Sequence, residues 1–203
     1  MNLEFYYIND NHKIENKEDY KTIYVTLLGI HGIGKTQFVD RLINQNYTKF
    51  KEQAKVLHQT PLSIELEVKY QNNKFILHIQ DTSGYARAEF FNKKYCKNSD
   101  IILLFYDSLN NTFPNYSYDN LDYYKRLAKD NAKEDTIFGL IRIKYDNYIK
   151  KEEEDFVPDE DVLEFADKNN FFFFHLGIFQ KYETGIKELI KKIIDEYIKK
   201  INK

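Results

Sequence analysis

Short apolar runs alternate along this chain with stretches whose apolar residues recur every three to four positions. Residues 22–28 form a β-rich run that ends at a glycine. Residues 35–43 follow, with Phe38, Val39, Leu42 and Ile43 on one helical face. Leu62, Ile64, Leu66, Val68 and Tyr70 alternate strictly with polar residues, which predicts a half-exposed edge strand. The turn Gln71-Asn72-Asn73 returns the chain through residues 75–80, giving one antiparallel hairpin. Residues 101–106, 137–143 and 171–176 are near-continuous apolar runs, as expected of strands covered on both faces. On that reading Phe171–Phe174 is a central strand and not an aromatic binding cluster. Helices are predicted over 116–132 and over 159–169, the latter opened by Pro158-Asp159. The last helix carries Ile186, Leu189, Ile190, Ile193, Ile194, Tyr197 and Ile198 on one stripe.

This alternation argues an α/β fold: a mostly parallel six-stranded sheet with one antiparallel edge hairpin and helices on both faces. Residues 3–8 can add a short strand, and the polar stretch from there to Asp19 reads as mobile. Residues 1–21 are therefore expected to be an N-terminal extension, and residues 22–203 one domain. The charge run at 150–155 reads as a solvated loop.

Composition narrows the classes. A net charge of −2 with acids and bases interspersed gives no electrostatic case for nucleic acid or an anionic membrane. The single cysteine, Cys96, excludes an internal disulfide. No apolar run approaches the ~20 residues of a spanning helix. The first residues lack a signal peptide and a myristoylation glycine, and the last lack a cysteine to prenylate. A cytoplasmic protein without a direct lipid anchor is expected.

Residues 29–36, Gly-Ile-His-Gly-Ile-Gly-Lys-Thr, fit G-x-x-x-x-G-K-[ST] without a mismatch, with a strand before and a helix after. Such glycines let the backbone curl around an anion so that successive N–H groups point inward, and the helix N-terminus adds its dipole. Gly29, His31, Gly32, Ile33, Gly34, Lys35, Thr36 and Gln37 are therefore the candidate phosphate-binding residues. Lys35 would reach the outer phosphates as a point charge, and the Thr36 hydroxyl would ligate Mg²⁺.

Asp81-Thr82-Ser83-Gly84 ends the third apolar strand. Its carboxylate is placed to hold Mg²⁺ through water, and the Gly84 amide to donate to a terminal phosphate. A later strand ends in Ile143-Lys144-Tyr145-Asp146. The Asp146 carboxylate can accept both guanine N1–H and N2–H₂, which adenine cannot supply, and the Lys144 stem can lie over the base. After the last strand, Phe179-Gln180-Lys181 offers a backbone amide for the guanine O6.

From Thr22 onward the chain resembles the Ras superfamily of small GTPases and is most similar to its Rab branch. The resemblance rests on residues 29–36, 81–84, 143–146 in place of N-K-x-D, and 179–181 in place of S-A-K. Residues 100–107 and 164–167 are also close to Rab wording. It implies a P-loop G domain that binds GTP or GDP with Mg²⁺ and hydrolyses GTP as a switch in vesicle traffic or signalling. The implied partners are an exchange factor, a GTPase-activating protein and effectors. It further implies that Tyr47 is the switch aromatic over the nucleotide, that Thr60 is the switch threonine on Mg²⁺, and that Tyr85 stands where the family has its water-orienting glutamine. Ile143 replaces the family's asparagine, Phe179 its serine, and His31 a glycine of Ras. These departures keep a second class open, a nucleotide-bound interaction module with little hydrolysis. A P-loop kinase would need an arginine-bearing lid, for which Arg41, Arg87, Arg126 and Arg142 are few.

Overall fold

The computed structural model describes residues 3–9, 11–14, 16–43, 63–107, 120–144, 157–177 and 184–202. Seven strands form one sheet: β1 (Leu3–Tyr7), β2 (Lys21–Leu28), β3 (Ser63–Tyr70), β4 (Asn73–Asp81), β5 (Ile101–Asp107), β6 (Ile137–Lys144) and β7 (Phe171–Gly177). Their order is β1-β3-β4-β2-β5-β6-β7. Pairing is parallel from β4 through β7 and antiparallel between β3 and β4 and between β1 and β3. The described helices are α1 (Lys35–Ile43), α2 (Glu89–Asn98), α3 (Leu121–Lys129), α4 (Asp159–Asn169) and α5 (Thr184–Ile201). None of them is long and apolar enough to cross a membrane.

Period-two alternation in the strands divides the core. Ile101, Leu103 and Phe105 face α1 and α5, where Phe38, Leu42, Leu189, Ile190 and Ile193 are fully buried. Ile102, Leu104 and Tyr106 face the opposite cluster, built with Cys96 of α2, Leu121 and Ala128 of α3, and Val162 of α4. The helices thus lie on both faces, as the pattern predicted.

The sheet edges differ from expectation. The alternating run at 63–70 is not an edge, because β1 pairs along its outer side from Leu3 opposite Tyr70 to Tyr7 opposite Leu66. The phenylalanine run is not central either: β7 ends the sheet beside β6. Helices α4 and α5 pack against β7, and Phe172 lies over Gly139, where any Cβ would stand 2.4 Å from the ring. An apolar run records that both faces of a strand are covered and carries no information about its lateral neighbours. The sequence pattern also showed no helix over residues 89–98, where only Asn92 and Cys96 are buried and Phe90 and Phe91 are exposed.

The stretch expected to be mobile is tied down in its described residues. On the face of β3 opposite α1 and α5, the Glu67 carboxylate is only 3% exposed. It accepts hydrogen bonds from the Tyr20 hydroxyl and from Lys69 at 3.0 Å, and His12 Nε2 lies 2.7 Å from its other oxygen. Lys17 reaches Glu65 at 2.9 Å. Burial pushes the Glu67 carboxyl up, but the hydrogen bonds from Tyr20, Lys69 and His12 outweigh it and hold the group below its ordinary value of 4.5. Donation to that carboxylate pushes the Tyr20 hydroxyl up to about 12.

A carboxyl held below its unfolded value stabilises the fold above that value, and the stabilisation is lost as pH falls through the folded pKa. A tyrosine held above 10 stabilises below 10 and ceases to as pH rises through about 12. Glu67→Gln should therefore cost about 1–3 kcal/mol at pH 7 and progressively less below pH 4.5. Urea unfolding at neutral and acid pH measures this. An equal loss at both would show that shape, and not the charge-assisted hydrogen bonds, holds the segment.

Candidate functional site

The parallel strands β4, β2 and β5 end side by side, with Leu27 opposite Asp81 and Leu28 opposite Leu104. Strand order reverses at β2, the kind of switch point where crevices open beyond carboxyl strand ends. The chain leaves β2 through Gly29 at φ +145°, where a Cβ would stand 2.5 Å from the Phe105 carbonyl oxygen. No side chain fits there, so the loop after β2 lies directly on β5. Residues 30–34 curl with positive φ at Gly32 and Gly34, and the Phe38 amide donates to the Gly34 carbonyl at 2.9 Å as α1 begins.

Lys35 is 5% exposed, and its ammonium donates to the carbonyls of Gly29 at 2.7 Å and Ile30 at 3.0 Å. Burial lowers its pKa to about 8, against the opposing pull of the Asp81 charge. The Thr36 hydroxyl donates to Asp81 Oδ2 at 2.6 Å, joining the loop helix to the end of β4. Asp81 Oδ1 is buried without a hydrogen-bond partner. Burial raises the Asp81 carboxyl, opposed by the Thr36 hydrogen bond and the Lys35 charge. Both groups are thus pushed towards their neutral forms: a buried cation short of negative charge stands beside a buried anion short of positive charge. A phosphate at Lys35 and a divalent cation at Thr36 and Asp81 would relieve both at once. Hydroxyl and carboxylate oxygens are the donors Mg²⁺ takes, and sites completed by phosphate and water need few protein ligands. No cluster of three or more His, Cys, Asp or Glu side chains suited to a metal occurs among the described residues.

These groups line a cavity of about 390 Å³ together with His31, Gly32, Gly34, Gln37, Thr82, Ser83, Gly84 and Tyr85. Gly84 lies hard against the loop, since a Cβ there would stand 2.1 Å from the His31 nitrogen. Its carbonyl accepts from Tyr124 of α3 at 3.1 Å, and the Ser83 carbonyl accepts from Asn92 of α2 at 3.0 Å. Thr82 donates its hydroxyl to the Leu27 carbonyl. Sequence reasoning missed Asn92, whose helix the pattern did not show, and Tyr124, whose helical spacing marks only packing.

Of the other expected residues, Ile33 is buried in the core beside α1. Lys144 ends β6 opposite Gly177 of β7, two strands from β2. Tyr47, Thr60, Asp146, Gln180 and Lys181, and the side chain of Lys144, lie outside the described residues. Ile143, which replaces an asparagine of the resembled pattern, is fully buried in the α1–α5 cluster.

Comparison with known proteins agrees with this layout. A family model described as the Ras family matches residues 24–199. The Ras-related protein Rab7 of Pisum sativum is 30% identical over 121 residues. That match spans 59% of this chain and 55% of the relative, so the chain covers about half the length of the relative it matches. The family match runs from within β2 to within α5, and the chain belongs to the Ras family.

Proposed function

We propose that the chain is a small GTPase: it binds GDP and GTP with Mg²⁺ and switches between two states read by protein partners. The observation that carries this reading is a buried Lys35 held only by the Gly29 and Ile30 carbonyls in the same cavity as a buried Asp81 that accepts from Thr36 and leaves its other oxygen unpartnered. Residues 29–37 would cradle the phosphates through main-chain N–H groups, Lys35 would offset charge on the outer phosphates, and Gly84 would meet the terminal one. Mg²⁺ held by Thr36, Asp81 and Thr60 would supply Lewis-acid neutralisation of phosphate charge. Lys144 and Asp146, with Gln180 and Lys181, would take the base. Lys144 ends β6, and strands β6 and β7 lie two and three strands from β2, roughly 10–15 Å across the sheet. Tyr47 would cover the nucleotide's edge. A second reading, a nucleotide-bound module with little turnover, is favoured by Tyr85 at the glutamine position. Partner capture with GDP against a non-hydrolysable GTP analogue separates the two, since only a switch binds state-dependently.

Guanine should be preferred to adenine, because Asp146 offers an acceptor pair that only guanine fills, and mispairing costs about 1–3 kcal/mol. Competition between GDP and ADP tests this, and equal affinities would remove the assignment. Asp146→Asn should shift preference towards xanthine, whose 2-oxo group needs a donor.

Lys35→Ala should weaken di- and triphosphate alike, whereas Thr36→Asn should chiefly weaken the Mg²⁺-dependent triphosphate. Titrations with and without chelator distinguish them. If both variants match the wild type, the loop does not bind nucleotide.

Hydrolysis should be slow. Tyr85 carries its hydroxyl at the end of a rigid ring, which does not copy the reach of a glutamine that donates and accepts at once near the phosphate. Turnover at or below about 10⁻⁴ s⁻¹ is expected, with Tyr85→Gln faster in single-turnover measurements. Fast wild-type turnover abolished by Lys35→Ala would show that another residue positions the water.

A further inference from the structure

The cavity has an outer wall that the phosphate reading does not account for. Tyr85, 45% exposed, folds back from Gly84 over the loop and stacks on the imidazole of His31, with ring centroids 4.1 Å apart and planes inclined by 24°. Its hydroxyl lies 2.8 Å from His31 Nε2, within hydrogen-bond distance. The Arg87 guanidinium stands over the other part of this column, 5.1 Å from the Tyr85 ring centroid. One partner comes from the phosphate loop and the other from the segment after β4, 54 positions away in sequence. The pair therefore fastens the two walls of the cavity together.

Its position gives the contact a consequence. On the phosphate reading Gly84 meets the terminal phosphate, and His31 and Tyr85 line the same cavity beside it. Between Gly84 and residues 29–31 there is no spare room, since a single added carbon would overlap the Ile30 and His31 main chain. Asn92 and Tyr124 hold Ser83 and Gly84 from behind. A terminal phosphate that meets Gly84 would come up against the adjoining Tyr85 and have to displace it from His31. A diphosphate lacks that group.

We infer that His31 and Tyr85 form a latch across the terminal-phosphate end of the site, and that this latch biases the protein towards the nucleoside diphosphate. The inference rests on the phosphate-binding reading of residues 29–36 and adds to it a residue pair that sets selectivity between the two nucleotide states. A ligand favours one of two states only by its differential free energy with them. The latch supplies that difference through ring stacking and a hydrogen bond, which the diphosphate leaves intact and the triphosphate breaks.

The test is the ratio of affinities for fluorescent GDP and a fluorescent non-hydrolysable GTP analogue in excess Mg²⁺. Wild type, His31→Ala, Tyr85→Ala, Tyr85→Phe and the double alanine variant are compared. Wild type should favour GDP. Each single alanine change should raise the analogue's relative affinity about five- to thirtyfold, and Tyr85→Phe, which keeps the stack, by less. The double variant should shift no further than either single, because each change already opens the same latch. Both side chains are exposed, and each variant's GDP affinity reports that the loop still folds. An unmoved ratio with GDP binding intact would overturn the latch alone, as would single effects that add in the double variant. Failure of the wild type to bind either nucleotide would overturn the nucleotide reading and the latch together.

Discussion

An ammonium group taken out of water has to be met by oxygen, and the meeting at Lys35 organises this end of the molecule. The carbonyls of Gly29 and Ile30 can turn towards it only if the chain curls back immediately after β2. That curl demands glycine at position 29, where the backbone lies against Phe105. It also aims the first turn of α1 so that Thr36 meets Asp81 at the end of the neighbouring strand. Carbonyl dipoles compensate a buried charge less fully than an anion does, and burial lowers the Lys35 pKa to about 8 despite the Asp81 charge. On the proposed reading, a phosphate supplies the negative charge that the carbonyls do not.

The rest of the sheet supplies rigidity for that arrangement. β2 is flanked by β4 and β5, so the loop, Asp81 and Asp107 emerge from adjacent buried strands. The antiparallel side of the sheet is finished by β1, and its outer face by the Glu67 cluster with His12, Tyr20 and Lys69. Where α1 and α5 cover one face of β3 with apolar side chains, a polar network covers the other. This explains why a carboxylate sits buried in a strand that otherwise alternates cleanly.

Much of this was legible in the sequence wherever the information is local. The glycine-rich motif is eight consecutive residues, α1, the hairpin and α5 announce themselves by period, and β5 by its apolar run. What was not legible depends on partners distant along the chain. Strand order cannot be read from a strand's own apolar content, so β3 and β7 exchanged their expected places at edge and centre. Glu67 looked like an ordinary solvent-facing residue because its partners Tyr20 and His12 lie 47 and 55 positions away. Tyr85 and His31 were each marked by departing from a resembled pattern, yet nothing in either position announced that they touch. Asn92 and Tyr124 carried no signal at all, since a helical residue that donates to a loop carbonyl resembles one that merely packs.

On the proposed reading, a guanine nucleotide and Mg²⁺ complete the crevice beyond β2. Mass identification of the nucleotide retained by the purified chain, with the Lys35→Ala variant in parallel, tests it most directly. Near-stoichiometric guanine nucleotide, mainly diphosphate and absent from the variant, is the predicted result. An adenine nucleotide, or a wild-type chain that retains none and takes up none from added GDP with Mg²⁺, would contradict it.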